Sequence, residues 1–254
     1  MRPRPLLVIS TVAIAFIAGC GGSSTGSGSS GGSNGVASKS GSQIVAAAVA
    51  ATKKQVSFHF VEMAGTTGST VQIVGDVGSS AGEQRITVHQ GGQSGHITVL
   101  LANRTAYFTG DAFGLEGFTG LTKTLATGLA GKWISVPSSN ASFSSIASSL
   151  AVKTAAVQLV QLSGTLTRGK TSIELGHPAV SVKAAEKSST GRLALTLYVS
   201  TKGAALPIRV EGTTQATGSA ARSVVATFTD WGESVHLSAP HGAEPISSVK
   251  SLAG

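Results

Sequence analysis

The chain has 254 residues, a formal net charge of +8, and 12% charged residues against 41% hydrophobic ones. Beyond the first 42 residues the apolar residues fall in patterned runs, which excludes an intrinsically disordered chain there. The Lys and Arg residues are scattered rather than clustered, so the positive charge does not predict a nucleic-acid-binding surface.

The chain opens with the features of an export signal. Two arginines precede an apolar run over residues 6–18, which has the length of a signal h-region and is shorter than the roughly 20 residues that span a bilayer. The four residues Ile17–Cys20 resemble the lipobox of bacterial lipoproteins. The resemblance implies that residues 1–19 are a signal peptide and that Cys20 is acylated. The alternative is an ordinary secretory signal with an incidental cysteine.

A tether follows the cysteine. Residues 21–41 are almost wholly Gly and Ser, a composition typical of linkers. We therefore assign 20–42 to the lipidated cysteine and its tether, and 43–254 to a single domain. The pattern G-x-S-x-G occurs at Gly31–Gly35, but a nucleophile elbow needs a strand before it and a helix after it. A Gly/Ser-rich tether is not expected to form a strand or a helix, so the pattern does not indicate a hydrolase.

The first half of the domain predicts one helix and then a sheet. Apolar residues at helical spacing, among them Ile44 and Ala48, predict a helix over Gln43–Lys54 with Ser42 as its cap. Alternating apolar residues then predict short strands joined by Gly-rich turns and by Asn103-Arg104, which is typical of an antiparallel meander. These predicted strands are 56–60, 70–74, 84–89, 96–102 and 105–109.

The second half predicts helices and more sheet. Residues 113–130 carry regularly spaced apolar residues and several glycines, each of which weakens a helix by about 1 kcal/mol, so we predict a loop and a short helix. A strand over 132–136 and a helix pair over 142–161 follow. Further strands are predicted at 162–168, 171–175, 179–185, 193–199, 206–211 and 223–229. Gly169-Lys170 is interpreted as a hairpin turn between the first two of these strands.

This order of elements, together with the lipobox, resembles the LolA-like lipoprotein carriers and particularly the LppX/LprG-type cell-envelope lipoproteins of high-GC Gram-positive bacteria. The residues that carry the resemblance are Tyr107 at a strand end, Gly131-Lys132-Trp133, Leu206-Pro207-Ile208 and Phe228–Gly232. The resemblance implies an α+β fold: a strongly bent antiparallel sheet, or half-barrel, with helices covering its concave face. It also implies that the space between sheet and helices holds acyl chains.

On this hypothesis the ligand contacts come from apolar residues of the strands and of the segment 113–130. The candidates are Phe58, Phe60, Val99, Leu101, Phe118, Leu121, Leu125, Leu195 and Leu197. The strand members of this set would equally form a dry core, because apolar strand faces are usually buried. The sequence leaves these two interpretations open.

The sequence patterns that would indicate nucleotide binding, metal binding or catalysis lack the structural context that each of them needs. Residues 164–171 match the P-loop pattern, but the sequence after them alternates like a strand where a P-loop needs a helix. The six histidines show no metal-ligand spacing, and no paired carboxylates stand out for acid–base catalysis. We therefore expect no enzyme, no cofactor and no metal site.

The sequence thus predicts a membrane-anchored, extracytoplasmic, monomeric lipoprotein that binds or carries envelope lipids or lipidated cargo, with no nucleic-acid partner. One alternative is a non-enzymatic envelope scaffold, or a module that binds a protein partner, with a filled core. A second is a solute-binding component, although the chain shows no βαβ alternation for it.

Overall fold

The computed structural model describes residues 32–152, 154, 162, 164–189 and 191–251. The predicted signal peptide and Cys20 lie outside the described residues. The α-helices within them are α1 (Gly41–Thr52), α2 (Ala112–Thr119), α3 (Lys123–Leu129), α4 (Phe143–Ser149) and α5 (Ile246–Ser251). The strands are β1 (Ser57–Thr66), β2 (Ser69–Gly78), β3 (Gly82–Gln90), β4 (Gln93–Ala102), β5 (Thr105–Gly110), β6 (Ile134–Pro137), β7 (Thr165–Glu174), β8 (His177–Ser188), β9 (Gly191–Ser200), β10 (Pro207–Ala216), β11 (Arg222–Thr229) and β12 (Glu244–Pro245).

The described strands form one open, curved sheet in the order β12-β6-β5-β4-β3-β2-β1-β11-β10-β9-β8-β7. Strands β1–β6 make one antiparallel meander and β7–β11 make a second, and the antiparallel pairing of β1 with β11 joins them. Only the short β12 pairs in parallel, with β6. The predicted α+β class and open sheet are confirmed, and the sheet is mixed rather than wholly antiparallel.

Helix α1 is confirmed, although it begins earlier than predicted. Its N-cap is Ser40, whose hydroxyl accepts from the backbone N–H of Gln43, while the Gln43 side chain accepts from the N–H of Ser40. This reciprocal capping box satisfies two backbone donors that a helix start leaves unpaired. The predicted cap, Ser42, lies inside the first turn.

The packed part of the chain also reaches N-terminal to residue 43. Ser33 forms a β-bridge with Lys202, and the side chain of Asn34 donates to the carbonyls of Ser200 and Gly203. Val36 is buried in the core. Residues 33–36 therefore hold the entry to α1 against the β9–β10 connection.

The predicted strands are present but longer than the alternation indicated. The two-residue turn Asn103-Arg104 is confirmed, with both residues at positive φ, as a type I′ hairpin requires. The predicted hairpin at Gly169-Lys170 is wrong, because both residues lie inside the continuous strand β7 as a bulge. A Cβ at residue 169 would overlap the Ser181 hydroxyl, so glycine allows this close approach without a shift of that side chain. The chain turns at Leu175-Gly176 instead.

Segment 113–130 forms two short helices, α2 and α3. Asp111 caps α2 by accepting from the backbone N–H of Gly114, and its second oxygen accepts from the N–H of His96 in β4. Gly120 ends α2 in the left-handed conformation. A Cβ at Gly114 would overlap the carbonyl of His96, so this glycine permits α2 to lie directly on β4. Helix α4 covers the start of the helix pair predicted over 142–161, of which the later part lies largely outside the described residues.

Two glycines of α2 give a matched pair of variants. Gly114→Ala should lower the free energy of unfolding by about 1–3 kcal/mol, the usual cost of overpacking, because the added methyl group meets the backbone of β4. Gly117→Ala should raise it by roughly 0.5–1 kcal/mol, since nothing lies within 4 Å of its added Cβ. Urea denaturation of both variants tests this contrast, and equal effects would contradict the close packing of α2.

Candidate functional site

One face of the sheet is apolar across most of its strands. Alternate residues of a strand share a face, and the register carries that face from strand to strand. Phe60 in β1 lies opposite Phe228 in β11 and Gly75 in β2. A Cβ at Gly75 would overlap the Phe60 ring, so the glycine makes room for the aromatic side chain. We call the face that bears Phe60 the apolar face.

Two buried clusters lie on the apolar face. The first joins Ile44 of α1 to strand residues that include Phe58 and Leu197. The second joins Leu115 of α2 and Leu129 of α3 to residues of β3–β6. Helix α1 and the α2–α3 pair therefore pack against the same face of the sheet, over different strands.

Apolar residues between and beside these clusters keep partial exposure. Ile73 of β2 contacts both clusters and is not fully buried in either. Other half-buried apolar residues of the same face lie toward the ends of β3, β9 and β11. We call this set the apolar strip; it consists of Ile73, Val88, Leu193, Leu195 and Val224. The strip is apolar surface that the described helices do not fully cover.

Glu62 places a carboxyl group on the apolar face, in the strand that joins the two meanders. Glu62 has the same strand parity as Phe58 and Phe60, and its cross-strand neighbours are Ile73 and Ala226. Burial raises the pKa of Glu62 above its ordinary value, and the positive charge of Arg222 opposes this shift with a smaller effect. The carboxyl group is therefore easier to protonate than a solvated glutamate.

The structure divides the nine predicted ligand residues between the buried clusters and the partly covered surface. Phe58, Phe60 and Leu197 are buried in the first cluster, and Val99 and Leu101 are buried in the second. The other four are less covered. Leu195 belongs to the apolar strip, Leu121 packs at the border of the second cluster, Leu125 is half-buried and Phe118 is 39% exposed.

The alternation in the sequence does not predict Glu62 or four members of the strip as site residues. The predicted first strand ends at Phe60, although β1 continues to Thr66. Period-two spacing continued from Phe58 and Phe60 would have placed Glu62 on the apolar face. A charged residue in an apolar position breaks the pattern that defines the strand, which is why the pattern alone did not extend so far.

The opposite face is mostly polar, and a small cavity of about 210 Å³ lies at its edge, near the start of β1. Its lining includes Phe58 and a pair in which His59 Nδ1 lies 2.7 Å from Asp76 Oδ1. The hydroxyl of Ser57 also lines it but donates to the backbone carbonyl of Glu233. The Ser57 hydroxyl therefore donates to a backbone acceptor. Nucleophilic catalysis would require it to donate to the imidazole instead. A second, more open depression of about 560 Å³ borders β5, β6 and β12.

A second polar network lies on that face between β9 and β10. The hydroxyl of Tyr198 donates to Glu211 Oε1 at 2.7 Å, and Arg209 pairs with the other carboxylate oxygen at 2.5 Å. The hydrogen bond to Glu211 is the main cause that raises the pKa of Tyr198 to about 12. The tyrosine stays protonated at physiological pH and serves as a hydrogen-bond donor.

Within the described ranges no cluster of His, Cys, Asp and Glu side chains has the arrangement of a metal site. None of the helices in this part of the chain is both long and apolar enough to cross a bilayer. The P-loop pattern at residues 164–171 runs into strand β7, where nucleotide binding would require a helix after the loop.

The open curved sheet with short helices on one face is also the fold of LprF, so the fold expected from the resemblance in the sequence is confirmed. The crystal structure of LprF from Mycobacterium bovis superimposes with a TM-score of 0.54 at 17% identity, covering 80% of this chain and 97% of that one. The Mycobacterium tuberculosis lipoprotein LppX gives a TM-score of 0.46 at 16% identity, covering 78% and 99%. No protein-family model and no curated protein matches the sequence.

The Glu62 carboxyl group gives a pH-dependent stability prediction. Because folding raises the pKa of Glu62, its stabilising contribution is fully present below the unfolded pKa of about 4 and is lost as the pH rises through the folded pKa. Glu62→Gln removes the ionisable group, so the variant should be more stable than the native chain at pH 7. The difference should disappear near pH 4.

Thermal unfolding of both chains across this pH range measures the effect. Glu116→Gln, at a partly exposed position of α2, serves as the control and should change little at any pH. A Glu62→Gln variant that is less stable than the native chain at pH 7 would contradict the placement of Glu62 on the apolar face.

Proposed function

We propose that this protein is a membrane-anchored, extracytoplasmic lipoprotein that binds or carries the acyl chains of envelope lipids. The apolar strip is the observation that carries the proposal. Ile73, Leu193 and Leu195 remain partly exposed although two packed clusters lie beside them. Exposed apolar surface of this kind is unfavourable in water and is typical of ligand or partner sites. An acyl chain laid along the strip would cover it.

In this proposal the apolar face is the concave face of the sheet, and α1 and the α2–α3 pair cover it on two sides. The acyl chains lie between these helices, against Leu195 of the strip and against the partly covered Leu121, Leu125 and Phe118 of the α2–α3 segment. The buried residues Phe58, Phe60, Val99, Leu101 and Leu197 form the wall behind the ligand. The fold shared with LprF supports the architecture.

The anchor completes the proposal. Residues 1–19 act as the signal peptide and Cys20 carries the acyl groups. The predicted tether over 20–42 is shortened at its C-terminal end, because residues 33–36 and the start of α1 pack with the domain. The domain works as a monomer. Two or more acyl chains hold a protein on a membrane, where one gives only weak binding. The protein then works on the outer side of the cell membrane and binds no nucleic acid.

The proposed activity is binding and transfer, without catalysis. Specificity arises from the shape and apolar character of the site. The polar constellations of the described residues favour this view, because Ser57 is bonded to a backbone carbonyl and Tyr198 to Glu211. These groups are engaged in structural hydrogen bonds on the face opposite to the site.

A scaffold with a filled core is the second candidate. The observation that favours it is the deep burial of Phe58, Val99 and Leu197, three residues that an open cavity would leave in contact with ligand. On this alternative the apolar strip contacts a protein partner and no lipid enters.

Substitution on the strip separates the candidates. Leu195→Gln should weaken the binding of a fluorescent fatty acid by roughly 5- to 150-fold, because it places an amide against the acyl chain and burying an unpaired amide costs about 1–3 kcal/mol. Thr196→Gln alters the adjacent residue on the opposite face and should leave the affinity unchanged. A fluorescence titration measures both variants. Absence of probe uptake by the native chain, or equal affinities for both variants, would contradict the carrier proposal.

The anchor has a separate test. Cys20→Ser removes the acylated side chain, so the full-length variant should move from the membrane pellet to the soluble fraction when cells are fractionated. Ser23→Ala, also within the tether sequence, should remain in the pellet. A Cys20→Ser variant that stays wholly in the membrane fraction would refute the anchor.

A further inference from the structure

The hairpin tip between β7 and β8 exposes two large apolar side chains. Ile173 is 67% exposed and Leu175 is 53% exposed. Ile173 is the most exposed large apolar side chain of the described residues. The two residues are two positions apart at the end of the outermost strand of the sheet. Neither belongs to the two buried clusters, so folding does not account for their apolar character.

Leucine at position 175 is unusual for its backbone conformation as well as for its exposure. Leu175 has φ +49° and Gly176 has φ +82°, so both residues of the turn are left-handed. Asn, Asp or Gly normally occupies the first position of such a turn, because a bulky side chain in this region is strained. The tip therefore keeps a leucine at a position where its exposure and its backbone conformation are both unfavourable.

The tip lies beside the place where the N-terminal segment joins the domain. The backbone N–H of Thr201 donates to the carbonyl of Pro178, which follows the hairpin turn. The N–H of Asn34 in turn donates to the carbonyl of Thr201, and Ser33 bridges to Lys202. The chain that leads back to Cys20 thus starts from the end of the sheet that carries the tip.

The length of this chain limits how far the tip can be from the membrane. Thirteen residue steps separate Cys20 from Ser33, and even a fully extended chain of that length spans no more than about 45 Å. Lys170, three residues before Ile173, and Lys202, next to the Thr201 that bonds to Pro178, have exposed side chains. Glu174 lies between the two apolar residues, and its carboxylate, which accepts a hydrogen bond from Ser172, offsets one of these two positive charges. Two cations beside two exposed apolar residues suit the surface of an anionic bilayer.

We propose that Ile173 and Leu175 insert into the surface of the bilayer to which Cys20 attaches the chain, and that this contact orients the domain on the membrane. The inference rests on the proposed anchor for the choice of bilayer. Burial of the two side chains in the interface provides the attraction, and the lysines add an electrostatic contribution that salt weakens. The acyl anchor holds the protein nearby, and the tip fixes which end faces the lipid.

The test uses the chain from residue 20 onward with Cys20→Ser, so that no acyl group binds the vesicles. The variant Ile173→Thr/Leu175→Asn keeps a β-branched residue in the strand and gives the turn an asparagine, which tolerates positive φ, so it should fold at least as stably. Met63→Gln is the control, since Met63 is 51% exposed on β1, away from the tip. Co-sedimentation with vesicles of phosphatidylglycerol and phosphatidylcholine at low salt measures binding.

We expect the native tip and the Met63→Gln control to bind equally, and the tip variant to bind at least tenfold more weakly. Equal binding by all three chains, or no vesicle binding by the chain with the native tip, would overturn the inference. Uptake of the fluorescent fatty acid, measured on the same protein preparations without vesicles, tests the carrier proposal separately. If the chain takes up the probe but does not bind vesicles, only the membrane-contact proposal is contradicted. If it binds vesicles through the tip but does not take up the probe, only the carrier proposal is contradicted.

Discussion

The register between β1 and β11 is the constraint on which the structure depends. Residues 59–65 of β1 pair one to one with residues 223–229 of β11, and this ladder joins two meanders that are far apart in the sequence. A slip of one residue would move every side chain of one meander to the opposite face. The apolar residues of all these strands share one face only because this register holds, and the helices pack against that face.

From this arrangement follow the two clusters and the partly exposed apolar residues near their border. Helix α1 covers strands of the second meander, and α2 and α3 cover strands of the first. Between them lies the β1–β2 region, with Glu62 and Ile73. The apolar strip and the hairpin tip lie toward opposite ends of the strands. On β9, Leu195 is five residues from Ser200, a distance of about 17 Å along a strand. If the tip contacts the bilayer, the open part of the strip faces away from it.

The sequence was most informative where one local rule decided the structure. Helical spacing placed α1, and Asn103-Arg104 gave the β4–β5 turn. It was misleading where tertiary contacts competed with the local rule. Gly169 is a residue type common in turns, but here it lies inside β7, where the absence of a side chain makes room for Ser181. The true turn contains Leu175, which turn chemistry disfavours. Glu62 was missed for a related reason, since a carboxyl group interrupts the alternation that would have extended the strand.

Mass spectrometry under non-denaturing conditions, on the protein extracted from its own membrane, tests the central claim most directly. The account predicts that the intact chain carries a bound acyl lipid that is lost on unfolding, and that Leu195→Gln carries less of it than Thr196→Gln. A native chain whose mass shows only the polypeptide and its covalent modification, in a preparation that retains a protein partner, would contradict lipid binding and favour the scaffold.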